Sequence, residues 1–227
     1  MNKGIKCQEL FTNKPFLLKD LFYRFEYPWE IIAHLGETIA SIIECGIDGY
    51  ERLSESVLIG RDVKISPGAY IEGPAIIGAG CEIRHGAFIR GSVILGEKCV
   101  LGNSSEIKNS VMMDGAQAPH FNYIGDSILG LKSHIGAGVI CSNLRSDGKH
   151  VTIKTEQADM VDTGLRKLGA IIGDHAEIGC GAVLCPGTII GKNTTVYPLT
   201  MTRGVYPSNS IVKDTYTVIP KDTTNGE

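Results

Sequence analysis

The sequence predicts an all-β protein, a parallel β-helix that coils as a triangular prism, preceded by an N-terminal helical segment. Two periods and one compositional bias carry that prediction. Ile59, Ile65, Ile71, Ile77, Ile83, Ile89, Leu95, Leu101, Ile107 and Met113 are all aliphatic at a spacing of six. The beat returns at Ile172, Ile178, Leu184, Ile190 and Val196. Six is neither the helical 3.6 nor the two-residue alternation of an ordinary strand. It is the period of hexapeptide repeats, whose short strands stack aliphatics into a core. Gly60, Gly78 and Gly96 add a second period of eighteen, three six-residue sides per coil. Their recurrence predicts a corner whose backbone conformation side chains resist. The bias is 28 glycines against 7% aromatics, which favours tight turns over helix bundles.

Residues 1–55 precede the beat. Ile31, Ile32, Leu35, Ile39, Ile42 and Ile43 recur at helical spacing, Pro28 and Glu30 suit a first turn, and Gly46 suits a C-terminal stop. This segment is expected to cover the open end of the prism, which needs a cap against edge pairing. The β-helix is placed at 56–198. Within it the polar stretch 144–168 drops the hexads and is expected to project as a loop, and long loops in compact domains are often functional. Residues 199–227 read as an irregular tail.

Composition excludes several classes. A net charge of -3 without a basic stripe argues against nucleic acid. Seven scattered cysteines form no CxxC pair, so neither a zinc ribbon nor a disulfide framework is expected, and a reduced cytoplasmic compartment is the simpler reading. No apolar run approaches ~20 residues and no signal core opens the chain, so no membrane span is expected.

The beat falters at "APHFNYIGDS", residues 118–127. From Met113 to Ile135 there are 22 residues where four hexads need 24, which places one missing residue between Pro119 and Ile124 and one before Leu129. Departures from local rule are where functional sites are expected. A small residue usually follows each slot, but Arg84, Lys108 and His120 stand there instead. On this register Arg84 and His120 share a face two coils apart, roughly 10 Å at the strand spacing of a sheet. Lys108 comes from the adjacent face of the coil between. Two cations beside a histidine suit an anionic group, most simply a phosphate. His120 is a candidate general base with Glu106 as its orienting acceptor. No second histidine follows closely enough for a metal site, so none is expected.

The motifs G-N, E-I-K, H-x-x-Y-I-G-D and I-G-A-G between Gly102 and Gly138 resemble the acetyltransferase domain of the bifunctional bacterial N-acetylglucosamine-1-phosphate uridyltransferase family. The resemblance spans roughly Arg84 to Thr152 and weakens through the later hexads. It implies a left-handed prism, acetyl-CoA as co-substrate, and a homotrimer with active sites between subunits. It also implies that His120 deprotonates a sugar amine and Glu106 orients it, while Arg84, Lys108 and Lys149 hold the sugar phosphate with Tyr123 beside them. Asn143 matches a substrate-binding asparagine, and Ala137 matches the backbone that meets the acyl group. His134 stands where the family usually has a substrate-contacting asparagine, and Cys180 where it often has a serine near the coenzyme. No nucleotide-binding strand and loop precede the prism, so the uridyltransferase activity is not expected. The expected activity is CoA-dependent N-acetylation of a phosphorylated amino sugar, with glucosamine 1-phosphate as the expected substrate. The rival is a non-catalytic prism that scaffolds or regulates a sugar-phosphate nucleotidyltransferase.

Overall fold

The computed structural model describes residues 5–12, 19–154 and 160–222. Three parallel sheets form the faces of the prism. The first runs from Glu51–Ser54 and Val57–Ile59 to Val205–Tyr206, the second from Lys64–Ile65 to Val218–Pro220, and the third from Tyr70–Glu72 to Met201–Thr202. The β-helix therefore continues beyond the expected limit of 198: Ser210–Val212 still pairs in parallel with Thr195–Val196. Antiparallel strands close two sheet ends. Glu51–Ser54 lies on Val57–Ile59, and Val218–Pro220 on Ser210–Val212. Such pairing covers edges that would otherwise recruit another chain.

The aliphatic beat builds the core, with one change of register. Met112, not Met113, pairs with Leu95 and Leu129 and points inward. The first missing residue thus falls between Ile107 and Met112, and the second between Ile124 and Leu129. Ala118, rather than Pro119, takes the slot above Leu101. Met113 instead packs outside the prism, among the residues under the helices.

The eighteen-residue glycine period has a different cause from the one expected. Gly60, Gly78 and Gly96 do not have positive φ. A Cβ on Gly60 would lie 2.6 Å from the Ala79 backbone nitrogen of the next coil, so close stacking excludes the side chain. The left-handed residue comes two places later, at Asp62 (φ 58), Gly80 (φ 69) and Lys98 (φ 55).

Three helices precede the coils: α1 (Cys7–Leu10), α2 (Lys19–Arg24) and α3 (Pro28–Cys45). The ends of α3 follow the sequence. Pro28 opens it, the Glu30 carboxylate accepts the Tyr27 N–H at 2.7 Å, and Gly46 adopts φ +77 and donates to the Ile42 carbonyl. Its position differs from the expectation. It lies along the first face instead of capping the open end, because that face is apolar on its outer side too. Leu58, Ile76, Ile94, Val111, Ile128, Ile171 and Ile189 are in register down the outside. They form one cluster with Trp29, Ile31, Ile32, Leu35, Ile39 and Ile43. A parallel sheet buried on both sides reads as continuous apolar runs, here LI, II and IL.

The N-terminal segment is pinned in place by the fully buried Asp174. Its carboxylate accepts the N–H groups of Thr12 at 2.6 Å and Leu131 at 2.8 Å, and its own N–H donates to Leu10. The stretch expected to project as a loop is an insertion between Ile140–Cys141 and Ile171–Ile172. It carries an antiparallel hairpin of Thr152–Lys154 with Met160–Asp162. Buried Val151, Ile153 and Leu168 fold it back onto the outer side of the first face.

Candidate active site

The sequence-derived residues fall on two edges of the prism and on the faces beside them. At the edge between the second and third faces, the strand Gln117–His120 carries an exposed His120. Its backbone N–H donates to Asn122 Oδ1 at 3.1 Å, and its carbonyl accepts from Gly138 at 3.0 Å. The buried Asn122 also donates Nδ2 to the Gly136 carbonyl at 2.7 Å, and its N–H is taken by the buried Ser105 hydroxyl at 3.2 Å. This polar plug fixes the backbone on both sides of His120. Phe121 follows at φ +53, 59% exposed, its ring centroid 6.3 Å from that of His120.

Ala137 and the exposed Cys180 continue this edge, one coil after another, through Gly138 N–H to His120 and Gly181 N–H to Ala137. Arg84 begins it from the other end but is out of phase. His120 is in register with Asn103, two places past the slot, whereas Arg84 is one place past Ile83. The shared position inferred for Arg84, Lys108 and His120 therefore holds only for the two cations. Arg84 is also engaged, with Nη2 3.0 Å from Glu82 Oε2.

The second group gathers at the edge between the third and first faces. Lys108 Nζ lies 3.2 Å from Asp126 Oδ2. Asn143, where the insertion leaves the prism, donates to the same oxygen and lies 3.3 Å from the Tyr123 hydroxyl. Burial raises the Tyr123 phenol above its ordinary range, against the smaller lowering effect of the Asn143 hydrogen bond. The phenol therefore stays neutral at physiological pH.

Glu106 stands on the third face, in register with Tyr123, and its carboxylate is held by Arg90 at 2.6 Å. No hydrogen bond joins it to His120 within the chain. His134 faces outward from the second face and pairs with Glu177 at 3.1 Å, apart from both groups. Lys149 is exposed in the insertion, its backbone N–H on Asp147. The Arg145 guanidinium beside Asp147 holds that carboxyl well below the usual range. The two edges are separated by one short strand of the third face, about 10 Å at ~3.3 Å per residue.

Asn122 and Asp126 were not singled out from the sequence. Both lie within APHFNYIGDS, so the faltering beat was a signal for them. Among the described residues no group of three or more His, Cys, Asp or Glu side chains is placed to hold a metal ion.

Two stretches of the chain match known family models. Residues 71–162 match the GMPPB C-terminal domain, and residues 169–204 match the bacterial transferase hexapeptide model of six repeats. The repeats of this chain are thus similar to those of bacterial hexapeptide transferases over 169–204 and to the GMPPB C-terminal domain over 71–162. A bifunctional sugar-1-phosphate nucleotidylyltransferase/acetyltransferase of Sulfurisphaera tokodaii is 38% identical over 87 residues, 38% of this chain and 21% of the relative. The bifunctional protein GlmU of Methanococcus maripaludis strain C7 is 36% identical over 85 residues, 37% of this chain and 20% of the relative. The matched part of the hexapeptide domain thus spans about a fifth of the length of these relatives. Among solved structures, the acetyltransferase domain of PglB from Neisseria gonorrhoeae FA1090 is 19% identical, covering 72% of this chain and 57% of that one, with a TM-score of 0.36.

Proposed function

We propose that the protein is a CoA-dependent N-acetyltransferase acting on a phosphorylated amino sugar, with glucosamine 1-phosphate as the first candidate. The observation that carries this reading is an exposed histidine on a backbone fixed from both sides, one strand away from a lysine, an asparagine and a tyrosine already gathered together. The relatives named for sugar-1-phosphate and acetyl transfer point to the same chemistry. In the proposed step, neutral His120 removes a proton from the sugar ammonium. The freed amine attacks the thioester carbonyl, the C–N bond forms, the C–S bond breaks, and the coenzyme leaves as a thiolate that takes up a proton. Lys108, Tyr123 and Asn143 hold the sugar phosphate and hydroxyls, with Arg84 and Lys149 as further cations. The Ala137 backbone and Cys180 line the path of acetyl-CoA.

One chain separates the two halves of this site by a strand, so the reading includes a homotrimer of left-handed prisms in which copies meet at the third face. Down its outer side Tyr70, Phe88, Tyr123, Ile140, Val183 and Met201 share a register column with Glu106. The corresponding column of the second face is mostly polar, with Lys64, Glu82, Gln117, His134, Glu177 and Thr195 beside two aliphatics, Val100 and Ile211. The first face is covered by the chain's own helices and hairpin. The reading places the protein in the cytoplasm, where acetyl-CoA and sugar phosphates are made. Among the described residues no helix is long and apolar enough to cross a membrane.

One observation favours a second reading, a non-catalytic scaffold for a sugar-phosphate nucleotidyltransferase. Arg84, Glu106 and Lys108 are each already paired, with Glu82, Arg90 and Asp126. A thiol-release assay with acetyl-CoA against a panel of amino-sugar phosphates separates the two. Release with one member supports the enzyme, and none across the panel supports the scaffold.

A further inference from the structure

Asp126 closes the motif H-x-x-Y-I-G-D without a role implied by the resemblance, yet its carboxylate joins several residues that have one. The side chain is only 5% exposed and receives Lys108 Nζ at 3.2 Å, Asn109 Nδ2 at 2.9 Å and Asn143 Nδ2. The Asn143 carboxamide in turn reaches the Tyr123 hydroxyl. The backbone adds two bonds, from Asp126 N–H to the Lys108 carbonyl at 3.0 Å and from Gly169 N–H to the Asp126 carbonyl at 2.8 Å. Asp126 adopts φ +49, so a non-glycine residue is kept in the left-handed region at this corner. It ties the outgoing end of the insertion, Asn143, and its returning end, Gly169, to the coil that bears Lys108.

A buried carboxylate is costly unless donors saturate it, and three side-chain donors do so here. The arrangement also constrains the donors. A lysine ammonium sits on a flexible four-carbon stem. Lys108 instead has one of its three N–H donors committed to a fixed acceptor, which leaves two for a ligand.

We propose that Asp126 is a positioning residue for phosphate recognition, holding the Lys108 ammonium and the Asn143 carboxamide in the one arrangement that receives the phosphate of an amino-sugar phosphate. This rests on the acetyl-transfer reading for the identity of the substrate. A residue that merely knots the insertion to the prism would affect both substrates alike. A positioning residue acts on one of them, and acts through Lys108.

The test is Asp126→Asn, nearly isosteric, which removes the charge and turns an NH2 toward a donor. The expected result is a rise of about tenfold in KM for glucosamine 1-phosphate, with KM for acetyl-CoA within about twofold and kcat within about threefold. On a Lys108→Ala background the same change should add little, because partners in one network are non-additive. Equal shifts in both KM values, no shift for the phosphosugar, or full additivity with Lys108→Ala overturns the proposal. If Asp126→Asn does not accumulate as folded protein by circular dichroism, Asn109→Ala loosens the same carboxylate from outside. It should raise the phosphosugar KM alone by about two- to threefold, and its failure to do so counts equally against the proposal. Wild-type thiol release is measured first. If the wild type releases no thiol, the acetyl-transfer reading fails, and the Asp126 claim is decided by calorimetry with inorganic phosphate. Weaker binding by Asp126→Asn then supports it, and unchanged affinity overturns it.

Discussion

Burial separates the cysteines chemically, with Cys185 intermediate between two groups. Cys45 and Cys180 are exposed, whereas Cys7, Cys81, Cys99 and Cys141 are buried. Desolvation disfavours the thiolate, and it pushes Cys7 and Cys141 up to about 12 and Cys99 well above its ordinary value. Brief iodoacetamide treatment of the native protein at pH 8 should therefore label Cys45 and Cys180 and spare these four, as peptide mass mapping will report. Labelling of Cys141 ahead of Cys180 would contradict the packing. The same shifts set a pH dependence. Thiols raised in the folded state stabilise it fully below the unfolded value of about 8.5, and that contribution is lost as pH rises toward about 12. Tyr50, raised to about 12 mainly by burial, acts in the same direction above about 10. At this scale local motifs made Lys108, Tyr123 and Asn143 candidates, and the structure brings these three side chains together around Asp126. The faltering beat marked the stretch that holds Asn122 and Asp126 but gave neither a role, because an asparagine or aspartate beside a corner reads as a turn residue. Their burial depends on partners from other coils, such as Gly136 for Asn122 and Lys108 for Asp126.

Among the elements, α3 shows the difference between recognising a helix and placing it. Its limits were legible in Pro28, Glu30 and Gly46, each of which does locally what its residue type favours. Its destination was not inferred, although a signal existed: VLI, AII, VIL and II in strands of the first face, against KI, YIE, EI and FIR in early strands of the other two. The doubled aliphatics mark the face that the helix covers. Leu35 is fully buried there, and Leu35→Ala should destabilise the protein by about 2–5 kcal/mol. Urea denaturation will measure this, and a loss below about 1 kcal/mol would mean that α3 adds little to the prism. Register was legible to within one residue. The count of two missing residues was right, but Met112 and Met113 are both apolar, and only the inward or outward direction set by neighbouring coils separates them.

For the whole molecule, the coverage of the faces determines what the prism can do. One face is occupied by the chain's own helices and hairpin, and the proposed trimer uses the column of the third face instead. Val183 is 38% exposed in the single chain, so Val183→Asp should leave its circular dichroism unchanged. Sedimentation should show a trimer for the wild type and a monomer for the variant. A wild-type monomer at micromolar concentration would remove the proposed site between copies. The central claim is that His120 deprotonates an amino sugar at this site. An ammonium has no lone pair with which to attack a thioester, and a positioned base typically contributes 10²–10⁴-fold. The most direct measurement is kcat of His120→Ala as a function of pH. The account predicts a loss of about that size near pH 7, nearly unchanged affinity for acetyl-CoA, and partial recovery as rising pH lets solvent deprotonate the amine. Wild-type turnover in His120→Ala would contradict it.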